Sequence, residues 1–241
     1  MLTVIRTDPG CVREKNEDTV LADASGLYLI ADGMGGHRAG EVASRIAAQS
    51  LRASLVGAPF DPSVLTDAIA VANQRVYEAG LRNAHYAGMG TTLTLLWIPN
   101  DLNEPGALIA QLGDSRAYLL RNRRLHRCTR DHSIVDELLR KKIITPEQAR
   151  KHPDRNIITR ALGIAESVKP DLFEWDRRPG DLWLLCSDGL TDMLDDAAIA
   201  TILRGFVPED AADVLLREAL DNGGSDNISL LLLLDDGKGA E

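Results

Sequence analysis

Residues 106–128 read GALIAQLGDSRAYLLRNRRLHRC. Three strand-like runs follow one another here: Ala107–Leu112, Arg116–Leu120 and Arg124–Cys128. The links between them are too short for a helical crossover, so the strands must pair antiparallel. The run Thr91–Ile98 precedes them, and strands return at Asp171–Asp176, Asp181–Ser187 and Ile228–Leu234. Helical spacing fills the intervals. Apolar residues recur at Val42, Ala43, Ile46, Ala47 and Leu51 within Arg38–Leu55, and at Leu65, Ala68, Ile69, Ala72 and Val76 within Pro62–Arg82. Asp61-Pro62 gives the second of these a cap and a first-turn proline. The stretch Ser133–Leu162 reads as helical and polar, and two further helices, Asp195–Arg204 and Pro208–Leu220, precede the last strand. Strand blocks separated by helix pairs predict an α+β layered fold rather than a parallel doubly wound one.

The bulk properties narrow the function. With 241 residues, 44% of them hydrophobic, the chain can bury a core without disulfide staples. A net charge of −9, from 36 acidic and 27 basic side chains, argues against a nucleic-acid binder. Cys11, Cys128 and Cys186 are scattered and form no CxxC pair, which disfavours a zinc site and fits a reducing compartment. The opening MLTVIRTD lacks a secretory pattern, and no apolar run nears the roughly 18–20 residues of a membrane span. A cytoplasmic protein without membrane contact is expected. No repeat or linker divides the chain, so residues 1–237 are read as one domain. A frayed polar tail is expected from Asp235 to Glu241, with 238–241 wholly outside the domain.

Aspartates carry the chemistry. LYLIA ends in Asp32-Gly33, ALIAQLG in Asp114-Ser115 and LWLLCS in Asp188-Gly189, while Asp226-Asn227 opens ISLLLLL. A single Asp-Gly is ordinarily a turn. Four carboxylates at the ends of buried strands would repel one another in low dielectric if those ends converge. A bound cation removes that conflict, and all-oxygen ligation selects Mg²⁺ or Mn²⁺ over zinc. The EF-hand spacing is absent, and the aspartates are spread over most of the chain. Before the second strand, REKNED (13–18) offers Arg13 as a planar fork for phosphate, with Glu17 and Asp18 able to hold ion-bound waters. The glycines of DGMGGH (32–37) match neither a P-loop nor GxGxxG. They are better read as a tight turn that lets the Gly33 carbonyl approach an ion. His37 is a candidate proton donor to a leaving group.

Together these segments resemble the bacterial branch of the PP2C (PPM) phosphatases. The resemblance rests on REKNED (13–18), ADGMGGHRAGEVAS (31–44), GMGTT (88–92), GDSRAY (113–118), RDHS (130–133), ITRALG (158–163), CSDGLTDML (186–194) and SDNIS (225–229), in family order. It implies a four-layer αββα sandwich of two antiparallel sheets flanked by helices, and hydrolysis of phosphoserine and phosphothreonine in proteins. It implies that Asp32 bridges two Mg²⁺ or Mn²⁺ ions, with Gly33 lending its carbonyl to one. Asp188 and Asp226 would complete the other shell, Glu17 would act through water, and Arg13 would bind phosphate. Asp114 with Asp188 would hold a third, weaker ion, and 133–162 would form a flap beside the substrate groove. Where several eukaryotic relatives carry a histidine directly after the Asp-Gly, this chain has Met34, so His37 stands only as a candidate. Phosphoproteins and a cognate Ser/Thr kinase system are the expected partners, and a monomer the expected state. A fold that lost its chemistry, a hydrolase of small phosphates and a calcium-binding protein are the competing readings.

Overall fold

A computed structural model describes residues 1–35, 39–99, 106–150 and 152–237. Strands β1 (Leu2–Asp8), β2 (Thr19–Asp23), β3 (Leu27–Ala31) and the two-residue β4 (Gly33–Met34) lead into helices α1 (Ala39–Leu55) and α2 (Pro62–Arg82). Then come β5 (Gly90–Thr91), β6 (Leu93–Trp97), β7 (Gly106–Leu112), β8 (Arg116–Arg121) and β9 (Arg124–Arg127). Helices α3 (Ile134–Arg140) and α4 (Pro146–Arg150) separate these from β10 (Asp171–Asp176) and β11 (Leu182–Cys186). Helices α5 (Asp188–Thr191), α6 (Asp196–Gly205) and α7 (Pro208–Asp221) precede β12 (Ile228–Leu234).

Two five-stranded sheets result, in the orders β1-β12-β11-β8-β9 and β10-β7-β6-β3-β2, and every pairing is antiparallel. Because side chains alternate faces along a strand, each inner strand feeds two cores. Leu230 and Leu232 of β12 pack with Leu184 of β11 against Ile199, Leu203, Ala211 and Leu215 of α6 and α7. Their neighbours Leu231 and Leu233 face the other way, with Trp183 and Leu185, onto Tyr28, Ile30, Leu96 and Ile109 of the second sheet. That sheet's outer face, with Leu27, Leu29, Leu93 and Leu95, is covered by Leu51, Leu65, Ile69 and Val76 of α1 and α2. The layers therefore run helix, sheet, sheet, helix. Continuous apolar runs such as ISLLLLL belong to strands covered on both faces, so they show no alternation of apolar and polar residues. The Asp61 carboxylate caps α2 by accepting the Ser63 N–H at 2.7 Å, and Asp195 caps α6 through the Ala198 N–H at 2.9 Å. Among the described residues no helix is long and apolar enough to cross a membrane.

Two expectations need correction. Among its described residues Ser133–Leu162 holds only the short helices α3 and α4, and the others are irregular, pinned by isolated bridges between Ser133 and Ile158 and between Thr91 and Leu162. Its polar sequence offers little apolar face to pack, Lys142 takes a positive φ of 56°, and Pro146 restarts the chain. The polar tail does not begin at Asp235, which is 1% exposed and ion-paired with the buried Arg177 at 2.5 Å. Gly180 N–H donates to the Asp235 carbonyl at 2.7 Å, and Arg177 also donates to the Pro99 carbonyl at 3.1 Å. Residues 238–241 lie outside the described residues. A lone buried guanidinium is strongly unfavourable, so Asp235→Ala is expected to lower unfolding free energy by about 3–5 kcal/mol, and Arg177→Met added to it to restore much of that. Urea denaturation of the single and double variants measures both; an Asp235→Ala protein as stable as the parent would remove the pair from the structural argument.

Candidate active site

Four strand ends meet at one edge of the sandwich. The pairing of Thr19 with Ala31 sets Asp18 beside Asp32 at the close of β3. The pairing of Leu93 with Leu112 brings Thr92 and the Gly113-Asp114 turn to the same edge. In the other sheet, Cys186 pairs with Leu230, so Ser187 and Asp188 leave β11 where Asp226 and Asn227 enter β12. These ends surround a cleft of about 650 Å³ lined by Arg13, Glu17, Asp32, Gly33, Asp114, Asn156, Ile158, Asp188 and Asp226. Asp18 lies behind Asp32 rather than on the wall. The structure thus gathers Arg13, Glu17, Asp18, Asp32, Gly33, Asp114, Asp188 and Asp226 in one place. His37 lies outside the described residues.

Hydrogen bonds fix the arrangement. Asp32 N–H donates to the Thr92 hydroxyl at 2.9 Å, Thr92 N–H returns to the Asp32 carbonyl at 2.8 Å, and the Thr92 hydroxyl meets Ser115 Oγ at 2.8 Å. Ser187 Oγ donates to Asp18 Oδ2 at 2.9 Å and so ties one sheet to the other. Asn227 holds the Arg13–Glu17 loop: its Oδ1 accepts the Glu17 N–H at 2.8 Å, and its Nδ2 donates to the carbonyls of Lys15 (2.7 Å) and Pro9 (3.0 Å). Arg13 Nη2 reaches Asp226 Oδ2 at 2.7 Å, with the Arg13 side chain 56% exposed at the cleft rim. Gly33 and Gly40 are required by contact. A Cβ on Gly33 would lie 2.2 Å from the Gly40 carbonyl oxygen, and one on Gly40 would lie 2.5 Å from Glu17 Oε2. Only glycines let the Gly33 carbonyl and the Glu17 carboxylate approach so closely. Sequence reasoning missed Gly40, Thr92, Ser187, Asp192 and Asn227. All five stood inside the quoted motifs ADGMGGHRAGEVAS, GMGTT, CSDGLTDML and SDNIS, but their roles run through partners distant in sequence and so are invisible without the fold.

The electrostatics are those of a crowded anionic site. Burial pushes Asp32 and Asp188 well above the usual carboxylate range, and repulsion adds to it, from Asp18 and Asp188 on Asp32 and from Asp114 and Asp192 on Asp188. Burial raises Asp18 to about 6, against the hydrogen bonds of Ser229 and Ser187, and raises Asp114 to about 7 with help from Asp131. Glu17 and Asp192 are raised too, both chiefly by burial. Glu17, Asp32, Asp114 and Asp188 line the cleft, yet Asp18 Oδ1 and Asp188 Oδ1 are buried without any hydrogen-bond partner. Orphaned acceptors among repelling carboxylates fit a hard divalent cation. Among the described residues no three Asp, Glu, His or Cys groups close around one point. Mg²⁺-like ions do not demand that, since they retain several waters and take one or two carboxylates with neutral oxygens such as a backbone carbonyl.

The residues 14–221 match the family model described as protein phosphatase 2C. The chain is 38% identical over 237 residues to protein phosphatase PhpP of Streptococcus pneumoniae, covering 94% of each. It superposes on serine/threonine phosphatase Stp1 of Staphylococcus aureus with a TM-score of 0.88 at 38% identity, covering 95% of this chain and 93% of that one. The catalytic domain of PstP, solved in complex with two manganese ions, matches with a TM-score of 0.85 at 36% identity over 96% of each chain.

The raised carboxylates set a pH dependence. Each is protonated in both states below about pH 4, so its contribution is intact there; as pH rises the unfolded chain ionises first, near 3.8, and stability falls until the folded groups ionise, at about 6 and 7 for Asp18 and Asp114. His132, held low chiefly by burial, acts oppositely below about pH 6.5, one imidazole against the cluster. In EDTA the melting temperature is therefore expected to fall between about pH 4 and 7, and less steeply in Asp188→Asn. Mn²⁺ should raise it most at the neutral end. Melting curves that ignore both pH and Mn²⁺ across that window would reject the reading.

Proposed function

The chain belongs to the protein phosphatase 2C family, and from that membership we propose that it hydrolyses phosphoserine and phosphothreonine in proteins at a centre holding Mg²⁺ or Mn²⁺. The observation that carries the proposal is the convergence of Asp18, Asp32, Asp114, Asp188 and Asp226 on one cleft edge with Arg13 at its rim. The relative PstP, with its two manganese ions, supports the cofactor. Asp32, the Gly33 carbonyl, Asp188 and Asp226 would hold two ions, with Glu17 and Asp18 reached through water, and Asp114 with Asp188 would take a third, weaker one. When bound, such ions supply Lewis-acid charge and a water acidified toward neutral pH.

The chain's own groups do the rest. Arg13 presents N–H donors at the cleft mouth, where the charge of a phosphoryl oxygen replaces part of the Asp226 contact and fixes the ester in line. Asn227 and Gly40 hold the Arg13–Glu17 loop and the Gly33 turn in register. Asn156 and Ile158 also line the cleft, and we take 133–162 as the flap of a catalytic domain spanning 1–237. No nucleophilic side chain is needed: Cys128 and Cys186 are buried, and burial pushes both thiols up to about 12. Three free cysteines suit a monomer working in the cytoplasm, where a Ser/Thr kinase is the chemical counterpart. His37 remains the candidate donor to the leaving oxygen.

Hydrolysis of a phosphothreonine peptide is expected with Mn²⁺, to vanish in EDTA and to reach background in Asp188→Ala. Arg13→Ala should lower kcat/KM by about 10²-fold, the scale of one lost charge-stabilising donor. Faster turnover of nucleotides or sugar phosphates than of phosphopeptides would move the chain to the small-molecule class.

A further inference from the structure

A second groove, of about 340 Å³, lies away from the cleft between β9 and α6. Four arginines line it, Arg123, Arg124, Arg127 and Arg204, and a single carboxylate, Asp196. That is a concentrated positive surface on a chain of net charge −9. Strand alternation puts Leu125 and Arg127 on the face toward α6, the turn residue Arg123 and the first strand residue Arg124 stand at the groove's hairpin end, and helical spacing puts Ala197, Ala200 and Arg204 on the facing side of the helix. The alanines leave the groove open, and Leu125 forms part of its floor against the helix core. Asp196 accepts the Tyr118 hydroxyl at 2.9 Å, and Arg127 is ion-paired with Asp131. Among the described residues Arg123, Arg124 and Arg204 have no carboxylate in ion-pair distance. The strand itself is an edge: β9 pairs with β8 alone, so one side of its backbone is unpartnered within the sheet.

A second, independent observation concerns the hairpin. Asn122 and Arg123 form the two-residue turn between β8 and β9, with φ of 52° and 61°. Such turns need positive φ at both positions and favour Asn-Gly. Arginine stands at the second position in place of the glycine that the backbone prefers, and a side chain there is held against its own conformational preference. A residue placed against local stability beside three other arginines points to something outside the fold.

We propose that this groove docks an acidic stretch of the phosphoprotein substrate, outside the residues that carry the scissile phosphate. The proposal rests on the phosphatase reading for the identity of the partner. Geometry permits both sites to be filled by one chain. Arg116, two residues beyond Asp114, shares Asp131 with Arg127 and marks the near end of the groove. Arg121, five strand steps on, marks the far end about 17 Å further along the sheet. A spacer of about six extended residues spans about 20 Å. Exposed arginines give a weak, salt-sensitive contact, suited to raising the local concentration of a substrate that must also leave.

The test compares a phosphothreonine peptide with two versions carrying four glutamates about six residues to either side, a spacing set by chain reach. In the wild type, KM is expected to be about 3- to 10-fold lower for at least one tailed peptide at about 50 mM salt, with kcat unchanged, and the advantage to vanish near 0.5 M. Arg123→Gly with Arg204→Ala should abolish the advantage and leave turnover of the untailed peptide as it was. Arg123→Gly alone should weaken docking while raising the melting temperature by about 2–4 °C, a pairing that a merely structural role does not give. Fluorescence anisotropy of an unphosphorylated, glutamate-rich peptide reads the groove without catalysis, so it still decides the matter if no phosphopeptide is hydrolysed. Equal KM for tailed and untailed peptides overturns the proposal. So does an advantage that survives the double variant, or tighter binding of a single-stranded oligonucleotide than of the glutamate peptide.

Discussion

Repulsion among carboxylates drawn to one edge of the sandwich is the constraint on which the rest of the structure depends. Strands of both sheets, apolar enough to be covered on two faces, end or begin at aspartates, and antiparallel register delivers those aspartates to a common place. Nothing in the local sequence of any one strand favours that outcome energetically. It persists because the three cores fix the strands' positions, and the aspartates follow. The polar scaffolding around them then has a clear job. The Thr92 hydroxyl accepts the Asp32 N–H, Ser187 and Asn227 donate to carboxylate and backbone oxygens, and two glycines allow the approach. A cluster of this kind holds concentrated negative charge on rigid elements.

Much of this was readable in the sequence, for identifiable reasons. The helix Pro62–Arg82 and the strands Asp171–Asp176 and Ile228–Leu234 carry strong periodicity or clear stops, and they lie where the pattern placed them. Short links between β7, β8 and β9 leave only antiparallel pairing. What pattern cannot supply is partnership at long range. No local feature says that β1 lies against β12, or that Arg177 neutralises Asp235 across 58 positions, and so a buried aspartate read as part of a tail. The polar stretch 133–162 read as helical throughout, and the structure gives it two short helices, capped by Ser133 and Thr145, because it lacks an apolar stripe to extend them. In the site, aspartates that terminate apolar runs stood out by contrast. The neutral residues beside them, Ser187 and Asn227, look like any loop residue until the strands are paired.

Charge is also segregated along the sheet that holds β8 and β9. Asp114, Asp188 and Asp226 lie at one end of it, while the Arg121–Arg124 hairpin lies at the other, about 17 Å from Arg116. Arg121 itself is neutralised by Asp176 and Asp181, whereas its neighbours in the turn are left to solvent. An acidic protein with a basic patch at one end of a sheet has a direction, and approaching anions are oriented by it.

The placement of β12 has a consequence for how the protein comes into being. It is inserted between β1 and β11, strands that leave the ribosome far apart in time. All strands of the sheet built on β2, β3, β6, β7 and β10 have been synthesised some fifty residues earlier, Asp32 and Asp114 with them. The other half waits, with β1 and β11 unjoined, until Ile228–Leu234 emerges and zips between them. Asp226 and Asn227 arrive on the same segment. A nascent or prematurely terminated chain therefore lacks the last carboxylate and the clamp on the Arg13 loop, and synthesis itself keeps the centre incomplete until the fold can close.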